Sequence, residues 1–346
     1  MEAPLINTLI VDDSPLARDI LRDFFEEDGN FRIIGEAADG EEGVEKILSL
    51  NPDLVTLDLE MPKMNGLEVI ETVMKKISVP IVVISSHDTA KTAYEATLKG
   101  ALEFFPKDLF TANLAPEKRK EIYETLKRIS GIKSQKSTSA AEPFHVEQPA
   151  KRVIRAVVIA SSTGGPSALT HFFSLLPGDF SVPLIIVQHN SPGFDESFAQ
   201  WLGTFTRLKV KLAEAGEAPG PGTVYIARTG RHLGIRSALP VMNDLRPVFY
   251  YNDDMPENHQ KPAADVLFRT AAEYLKQSLV SVVLTGMGND GAAGTRKIRE
   301  MGGITLAQDE ESSLIYGMPK AAAETGCVDM ILPLDRIPGE LVRLTK

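Results

Sequence analysis

The sequence has only one cysteine, Cys327, so it cannot form an internal disulfide, and no Cys/His metal-binding spacing can be built around it. It also lacks any apolar run approaching the roughly 18 residues that a membrane-spanning helix needs. The opening segment MEAPLINTLIVDDS has no basic region ahead of its apolar residues, which argues against a secretory signal peptide. These absences predict a cytoplasmic protein that does not insert into membranes.

Positive charge is not in excess either. The 37 Lys and Arg residues are outnumbered by 47 Asp and Glu residues, giving a formal net charge of −10. Surfaces that bind nucleic acid are normally basic, so a DNA-binding regulator is disfavoured and no nucleic-acid partner is expected. With 43% hydrophobic and 24% charged residues in 346, the chain has the composition of a globular protein of two or three domains.

Strand-like apolar runs alternate with helical patterns in two separate stretches of the chain. Five such βα units in residues 1–130 predict an open parallel sheet with helices on both faces. Residues 131–152 are rich in Ser, Lys, Ala and Pro without periodicity, which predicts an exposed linker. The alternation resumes over residues 153–346 and predicts a second α/β domain. Both domains are expected to be doubly wound, with mainly parallel sheets.

Three carboxylates follow strands of the first domain. Asp12 and Asp13 end the first strand and Asp58 ends the third. Strands 1 and 3 are neighbours in a doubly wound sheet, so these side chains are expected to converge at its carboxyl edge. Like charges at that distance need a cation, and hard oxygen ligands suit Mg²⁺. A carboxylate beside Mg²⁺ can accept a phosphoryl group.

Two further polar residues follow the fourth and fifth strands. Ser85 can receive a phosphoryl oxygen and Lys107 can neutralise charge. With them in place, the first domain resembles the receiver domain of two-component response regulators, through the motifs LIVDDS, DLVTLDLEMPKMNGLEV, PIVVISS and GALEFFPK. The resemblance implies a flavodoxin-like fold. One departure is that Pro106 precedes Lys107, where the family usually has Lys-Pro with that bond cis, and this puts the loop geometry in question.

The receiver resemblance also implies roles for the acidic residues. Asp58 would be the phosphoacceptor, and Asp13 and the backbone carbonyl of Glu60 would bind Mg²⁺ with support from Asp12. A histidine kinase would supply the phosphoryl group.

The second domain places three reactive side chains at strand ends. A strand ending at Ala160 turns through SSTGGP into a helix and exposes a serine, Ser162 or its neighbour Ser161. His189 ends the next strand, and Asp290 follows the later strand LVSVVL. Serine, histidine and carboxylate at one sheet edge are what acyl transfer requires. Singly, the serine has the simpler interpretation of a helix cap and the histidine that of a structural residue.

Asp290 lies in a glycine-rich loop that has a second interpretation. Gly286, Gly288 and Gly291 follow a strand and precede a helical segment, as in a dinucleotide-binding fingerprint, and Asp309 lies about where a ribose ligand is expected. That fingerprint normally opens a domain, whereas this loop comes late. From the residues alone the loop either presents Asp290 or holds a dinucleotide, and a dinucleotide-dependent enzyme is kept as an alternative.

The second domain resembles the catalytic domain of the chemotaxis protein-glutamate methylesterase family, through ASSTGGPSAL, IIVQHNSPGFDESFAQ, VYIA, VVLTGMGNDGAAG and YGMPKAAAETG. The resemblance implies a Rossmann-like fold with Ser162 as nucleophile, His189 as general base and Asp290 as its orienting partner. It also makes the backbone N–H groups of Met287 and Thr163 candidate oxyanion donors. No cofactor is expected for the esterase.

The two resemblances together imply a phosphorylation-activated methylesterase. It would hydrolyse glutamyl methyl esters on the cytoplasmic helices of chemoreceptors, with glutamine deamidation as a second activity, and its unphosphorylated receiver would cover the esterase cleft. Three segments depart from the family pattern: the loop Arg228 to Arg231, KPAAD at Lys261 to Asp265, and HNSPGF after the histidine. They leave open the alternative of a signalling adaptor with a degenerate esterase domain.

Overall fold

The computed structural model describes residues 4–86, 90–111, 114–132, 153–238 and 246–346. The chain divides into two compact units, Met1–Lys136 and Ser137–Lys346. From residue 133 onward the linker predicted at 131–152 lies outside the described residues, so its bounds stay a prediction. Within the described ranges no helix has both the length and the apolar character needed to cross a membrane.

The first unit contains a five-stranded parallel sheet in the order β2-β1-β3-β4-β5. This is the flavodoxin-like order, and it confirms the predicted fold. The strands are β1 (Ile6–Val11), β2 (Phe31–Ala37), β3 (Leu54–Leu57), β4 (Ile81–Ser85) and β5 (Glu103–Pro106). The helices are α1 (Pro15–Asp28), α2 (Gly40–Leu50), α3 (Gly66–Met74), α4 (Ala90–Lys99) and α5 (Pro116–Ser130).

Burial and capping explain these elements. Every residue of β3 and β4 is buried, because helices cover both faces of a parallel sheet. The helix α1 begins after Ser14, whose Oγ accepts the Ala17 N–H at 3.3 Å. Asn65 and Glu68 form a reciprocal capping box at the start of α3. The caps fix where the loops after the strands end, and those loops carry the acidic residues.

The second unit contains a seven-stranded parallel sheet in the order β14-β13-β12-β6-β7-β9-β8. Its strands are β6 (Ala156–Ser161), β7 (Leu184–Gln188), β8 (Lys209–Leu212), β9 (Thr223–Ile226), β12 (Leu279–Val283), β13 (Ile304–Gln308) and β14 (Met330–Leu332). Its helices are α6 (Gly165–Leu175), α7 (Asp195–Leu202), α8 (Ala264–Leu275), α9 (Ala292–Glu300), α10 (Met318–Glu324) and α11 (Ile337–Thr345). The central strand β6 lies between β7 and β12, so the sheet is doubly wound, as predicted.

The second unit also contains an antiparallel hairpin, of which the sequence predicts one strand, RPVFYY, as part of the main sheet. RPVFYY forms β11 (Pro247–Asn252), but it pairs with β10 (His232–Ser237) rather than with the main sheet. The sequence pattern does not predict the strand β10. Its buried residues Leu233 and Ile235 join the same core cluster as Phe268 of α8. The hairpin is therefore held by packing against α8, a long-range contact that periodicity cannot reveal.

Candidate active site and phosphoacceptor site

The acidic residues of the first unit converge as the sequence predicted. Oxygens of Asp12, Asp13 and Asp58 all lie within 4.8 Å of one another. The cause is the parallel pairing of β1 with β3, in which the Asp58 N–H donates to the Val11 carbonyl at 2.9 Å. Asp12 and Asp58 are buried, Asp13 is exposed, and the exposed Glu60 follows two residues after Asp58. The group can hold a metal ion through hard oxygen donors.

Lys107 and Ser85 both contact the Asp58 carboxylate. Lys107 Nζ lies 2.6 Å from Asp58 Oδ2 and 2.7 Å from Asp12 Oδ2. Ser85 Oγ donates to Asp58 Oδ1 at 2.7 Å. The register that sets Ser85 opposite Pro106 carries Lys107 to the sheet edge. The exchanged Pro-Lys order, which put the loop geometry in question, therefore leaves the lysine in contact with the acidic cluster.

Charge balance in this cluster depends on the lysine. Burial raises the pKa of Asp12, and the hydrogen bond and charge of Lys107 only partly oppose that effect. Burial would lower the pKa of Lys107, but its hydrogen bonds to Asp12 and Asp58 raise it above the ordinary value. The ammonium thus supplies the positive charge that lets two buried carboxylates lie side by side.

In the second unit, the turn after β6 distinguishes the two candidate serines. Ser161 is fully buried and its Oγ donates to Gln188 Oε1 at 2.7 Å. Ser162 is only partly buried, and its backbone N–H donates to the Thr285 carbonyl at 3.1 Å. Gly164 has φ 77°, a left-handed conformation that favours glycine. The turn therefore occupies Ser161 in the core and favours Ser162 as the accessible hydroxyl.

Gln188 connects this turn to His189. Its side chain is buried, and its Nε2 donates to the carbonyls of Ser162 at 3.1 Å and His189 at 2.9 Å. A Cβ on Gly165 would lie 2.0 Å from Gln188 Oε1, so this position needs glycine. Gln188 is not among the site residues predicted from the sequence, although a polar residue at the end of the apolar run LIIV could have indicated a role at the sheet edge.

His189 and Asp290 form a buried pair. His189 Nε2 lies 2.8 Å from Asp290 Oδ2, with side-chain exposures of 7% and 2%. An ionised carboxylate only accepts hydrogen bonds, so Nε2 carries the hydrogen. His189 Nδ1 is buried and has no hydrogen-bond partner among the residues that the structure describes. In the neutral ring this nitrogen has a lone pair that can take up a proton.

Hydrogen bonds keep the Asp290 carboxylate ionised. It accepts the N–H groups of Ala264 at 2.6 Å, Asp265 at 3.0 Å and Gly291 at 3.1 Å, and Asn258 Nδ2 at 3.2 Å. Burial alone would raise the pKa of Asp290, but His189 and the backbone donors more than offset it and the pKa is lowered. The carboxylate can therefore orient a histidine and stabilise its protonated form.

The glycines of the fingerprint have roles that need no dinucleotide. A Cβ on Gly286 would meet Ser162 Cβ at 2.8 Å, so this glycine makes room for the serine. Gly288 and Gly291 have φ values of 89° and 90°, where other residues are strained. The carboxylate of Asp309 accepts the N–H and Oγ of Ser312 at 2.9 and 2.6 Å and closes a local turn. These contacts favour the interpretation in which the loop presents Asp290.

The two candidate oxyanion donors, Thr163 and Met287, each follow one of the two residues that pack closely together, Ser162 and Gly286. Thr163 follows Ser162, and its carbonyl accepts Thr285 Oγ1 at 3.0 Å. Met287 follows Gly286, the residue packed against Ser162. Their backbone N–H groups remain predicted donors.

His232, which the sequence left without a role, has a structural one. It is buried, its Nδ1 accepts the Ala263 N–H at 3.1 Å, and its Nε2 lies 3.1 Å from the Met255 carbonyl. The accepting Nδ1 fixes the neutral tautomer with hydrogen on Nε2. His232 thereby anchors the segment that leads into α8, whose first N–H groups bind Asp290.

Hydrogen bonds and an ion pair hold the loop Arg228 to Arg231, which departs from the family pattern. The N–H and Oγ1 of Thr229 donate to Asp195 Oδ2 at 2.8 and 2.9 Å. Arg231 pairs with Asp253 at 2.9 Å. The loop thus contacts α7 through Asp195 and the segment after β11 through Asp253.

Asp265 gives the second unit an unusual pH dependence of stability. Burial and then the charge of Asp290 raise its pKa from 3.8 to about 6. The folded state is therefore expected to bind this proton more tightly than the unfolded state, so the free energy of unfolding should fall by about 3 kcal/mol as pH rises from about 4 to 6. The lowered pKa of Asp290 acts in the opposite direction, but below pH 3.8.

We expect Asp265→Asn to flatten the stability profile between pH 4 and 6. Urea unfolding followed by the fluorescence of Trp201 measures this, since Trp201 is the only tryptophan and is buried in the second unit. Asp253→Asn, at an exposed carboxylate, is the control. An unchanged slope in Asp265→Asn would show that Asp265 does not hold the extra proton.

Comparison with known proteins agrees with this architecture. The model of the CheB methylesterase family matches residues 157–341, and that of the response regulator receiver domain matches residues 8–117. A protein-glutamate methylesterase/protein-glutamine glutaminase of Pyrococcus abyssi is 38% identical over 98% of this chain and 93% of its own. One of that name from Thermotoga maritima is 36% identical over 98% of both chains.

A solved structure supports the same assignment for the second unit. The crystal structure of the Thermotoga maritima CheB methylesterase catalytic domain matches 56% of this chain and 100% of its own, with 40% identity and a TM-score of 0.53. The two family models follow one another along the chain, and the relatives match nearly all of it. The chain therefore belongs to the CheB methylesterase family and carries a response regulator receiver domain ahead of its methylesterase domain.

Proposed function

We propose that this protein hydrolyses glutamyl methyl esters on chemoreceptors, and the side-chain amide of glutamine there, under the control of phosphorylation at Asp58. The observation that carries the proposal is the buried His189–Asp290 pair at 2.8 Å, next to the turn in which Ser162 is partly exposed. Relatives that match almost the whole chain are named for both activities.

The chemistry proposed for the site is acyl transfer. His189 Nδ1 removes the Ser162 proton as Oγ attacks the ester carbonyl, and the oxyanion formed accepts hydrogen bonds from the N–H groups of Met287 and Thr163. The C–O bond then breaks, and methanol leaves with the proton from His189. A water molecule repeats the sequence on the acyl-serine, releasing glutamate and restoring Ser162. With glutamine the leaving group is ammonia.

Asp290 acts through the histidine. Its bond to Nε2 leaves Nδ1 as the basic nitrogen, and its charge stabilises the imidazolium that forms when Nδ1 takes the serine proton. The lowered pKa of Asp290 favours the charged carboxylate at neutral pH.

Regulation is proposed to begin at the acidic cluster of the receiver. Asp58 accepts a phosphoryl group from the phosphohistidine of a histidine kinase, while Ser85 and Lys107 contact the phosphoryl oxygens. Asp12, Asp13, Asp58 and the Glu60 carbonyl would hold Mg²⁺, which when bound neutralises charge on the phosphoryl group. Because the proposed kinase and the proposed substrate helices of chemoreceptors are cytoplasmic, we propose that the protein acts in the cytoplasm.

The charge of Lys107 leads to a prediction about metal affinity. We expect Lys107→Met to bind Mg²⁺ about tenfold more tightly, because a cation 2.6–2.7 Å from two of the carboxylates no longer competes. Calorimetric titration of the full chain with Mg²⁺ measures the change. Lys99→Met is the control, since Lys99 pairs with Glu71 on the surface. Equal affinity in the wild type and Lys107→Met would argue against Mg²⁺ binding at this cluster.

The activity itself is tested with receptor-containing membranes. Membranes with methylated receptors, incubated with the protein, Mg²⁺, kinase and a phosphodonor, are expected to release methanol, and those with receptor glutamines to release ammonia. Unmethylated membranes without these glutamines are the control. No methanol above this control would contradict the esterase and favour the adaptor, for which the altered loop Arg228 to Arg231 is the supporting observation.

A further inference from the structure

Asp290 caps α8, the helix that contains Asp265, and Asp265 caps α9, the helix that follows Asp290. Asp290 precedes α9, yet it accepts the N–H groups of Ala264 and Asp265 at the start of α8, at 2.6 and 3.0 Å. Asp265 lies in the first turn of α8, yet its Oδ1 accepts the N–H of Gly294 in the first turn of α9 at 2.6 Å. Two helix N-termini, where negative charge is favoured, thus meet at two buried carboxylates.

A single amide joins the two carboxylates. Asn258 Nδ2 lies 2.8 Å from Asp265 Oδ2 and 3.2 Å from Asp290 Oδ1. The amide nitrogen has two hydrogens, so one can serve each carboxylate. Asn258 has φ 54°, in the left-handed region that asparagine tolerates better than most residues. In this conformation the Asn258 amide lies within hydrogen-bond distance of both carboxylates.

These contacts determine where the catalytic carboxylate points. Asp290 Oδ1 accepts from Asp265, Gly291 and Asn258, while Oδ2 accepts from Ala264 and faces His189 Nε2. Rotation of the carboxylate would break bonds on both oxygens. Asp265 contributes twice, through its own N–H and by holding Asn258 with its Oδ2.

We propose that Asn258 and Asp265 are positioning residues for the esterase reaction, which fix the Asp290 carboxylate so that Oδ2 stays directed at His189. The inference rests on the proposed function of the Ser162 site. It assigns a positioning role to Asp265, the last residue of the segment KPAAD, and to Asn258, which lies outside every quoted motif.

The kinetic test uses two variants. Asn258→Ala removes the shared amide and leaves the Asp265 bond to Gly294, so α9 keeps its cap. Asp265→Asn removes the second carboxylate. Each is expected to lower kcat for methyl-ester hydrolysis about tenfold, with KM changed less than twofold, because a charge-assisted hydrogen bond acting through Asp290 is lost. Asn252→Ala, at a partly exposed position, and Asp253→Asn, at an exposed one, are matched controls.

A double-mutant cycle separates positioning from general damage. In an Asp290→Asn background, Asn258→Ala is expected to cause no further loss of kcat, because the group through which it acts is gone. A tenfold loss that persists in that background would overturn the proposal. So would wild-type kcat in both single variants.

A second readout needs no substrate. The proton between His189 Nε2 and Asp290 is buried and should give a low-field proton NMR signal, identified by its loss in Asp290→Asn. In Asn258→Ala this signal is expected to shift upfield or broaden, while Asp253→Asn leaves it unchanged. An unshifted signal in Asn258→Ala would contradict the proposal. Absence of esterase activity in the wild type would contradict the proposed function alone, and the NMR signal would still decide the positioning role.

Discussion

Replacing Ser162 by alanine is expected to reduce methyl-ester hydrolysis by about 10⁴-fold or more, because it removes the hydroxyl that is proposed to form the acyl-enzyme. Its position after β6 and its close packing on Gly286 fix the hydroxyl at the sheet edge. The variant should fold, since the Ser162 backbone N–H, not the side chain, makes the bond to Thr285. Methanol released from methylated receptors measures the loss.

The neighbouring serine provides the sharpest control. Ser161 Oγ is buried against Gln188 Oε1, so Ser161→Ala should disturb the turn and lower the rate about tenfold at most. Ser174→Ala, on the exposed side of α6, should leave it unchanged. Loss of all activity in Ser161→Ala with activity retained in Ser162→Ala would exchange the assignments of the two serines.

The second large effect is expected for Asp290→Asn. An amide at this position presents either a donor to the His189 Nε2 hydrogen or an oxygen without charge, and it disturbs four other hydrogen bonds. The ring then loses its fixed tautomer and the support for its protonated form, and kcat should fall by about 10³–10⁴-fold. The rate of methanol release at saturating substrate measures this.

Asp309→Asn is the matched control for that variant. Asp309 closes the turn at Ser312 and has no contact with His189 in the described structure, so its replacement should leave kcat within about twofold. Under the dinucleotide alternative the order is reversed: Asp309→Asn would be the damaging change, and NAD would bind to the wild type. Tight NAD binding would contradict the role that we assign to the glycine loop.

Some features followed from the sequence because they depend on local position. Asp58 and His189 each come directly after a buried strand, Asp290 lies in the loop that follows another buried strand, and parallel strands bring their ends to one edge. The order of the receiver strands was implied by the resemblance to receiver domains and is confirmed by the structure. Lys107 reaches the acidic cluster because β5 pairs with β4, whichever side of it the proline occupies.

Other features required the folded structure. Asn258 lies 32 residues from Asp290, in a loop without periodicity, and its contact exists only because α8 and α9 begin side by side. The strand β10 was missed because HLGIRS is short and interrupted by glycine, and its partner β11 had been placed in the main sheet. The structural role of His232 also required the folded structure, because it depends on hydrogen bonds to Ala263 and Met255.

The most direct test of the account is the rate of methanol release from methylated receptors, with and without a small phosphodonor, in the wild type and in Asp58→Ala. The account predicts a phosphodonor-dependent increase in the wild type, no increase in Asp58→Ala, and no release from Ser162→Ala under either condition. A phosphodonor-dependent increase that survives in Asp58→Ala, or release that survives in Ser162→Ala, would contradict it.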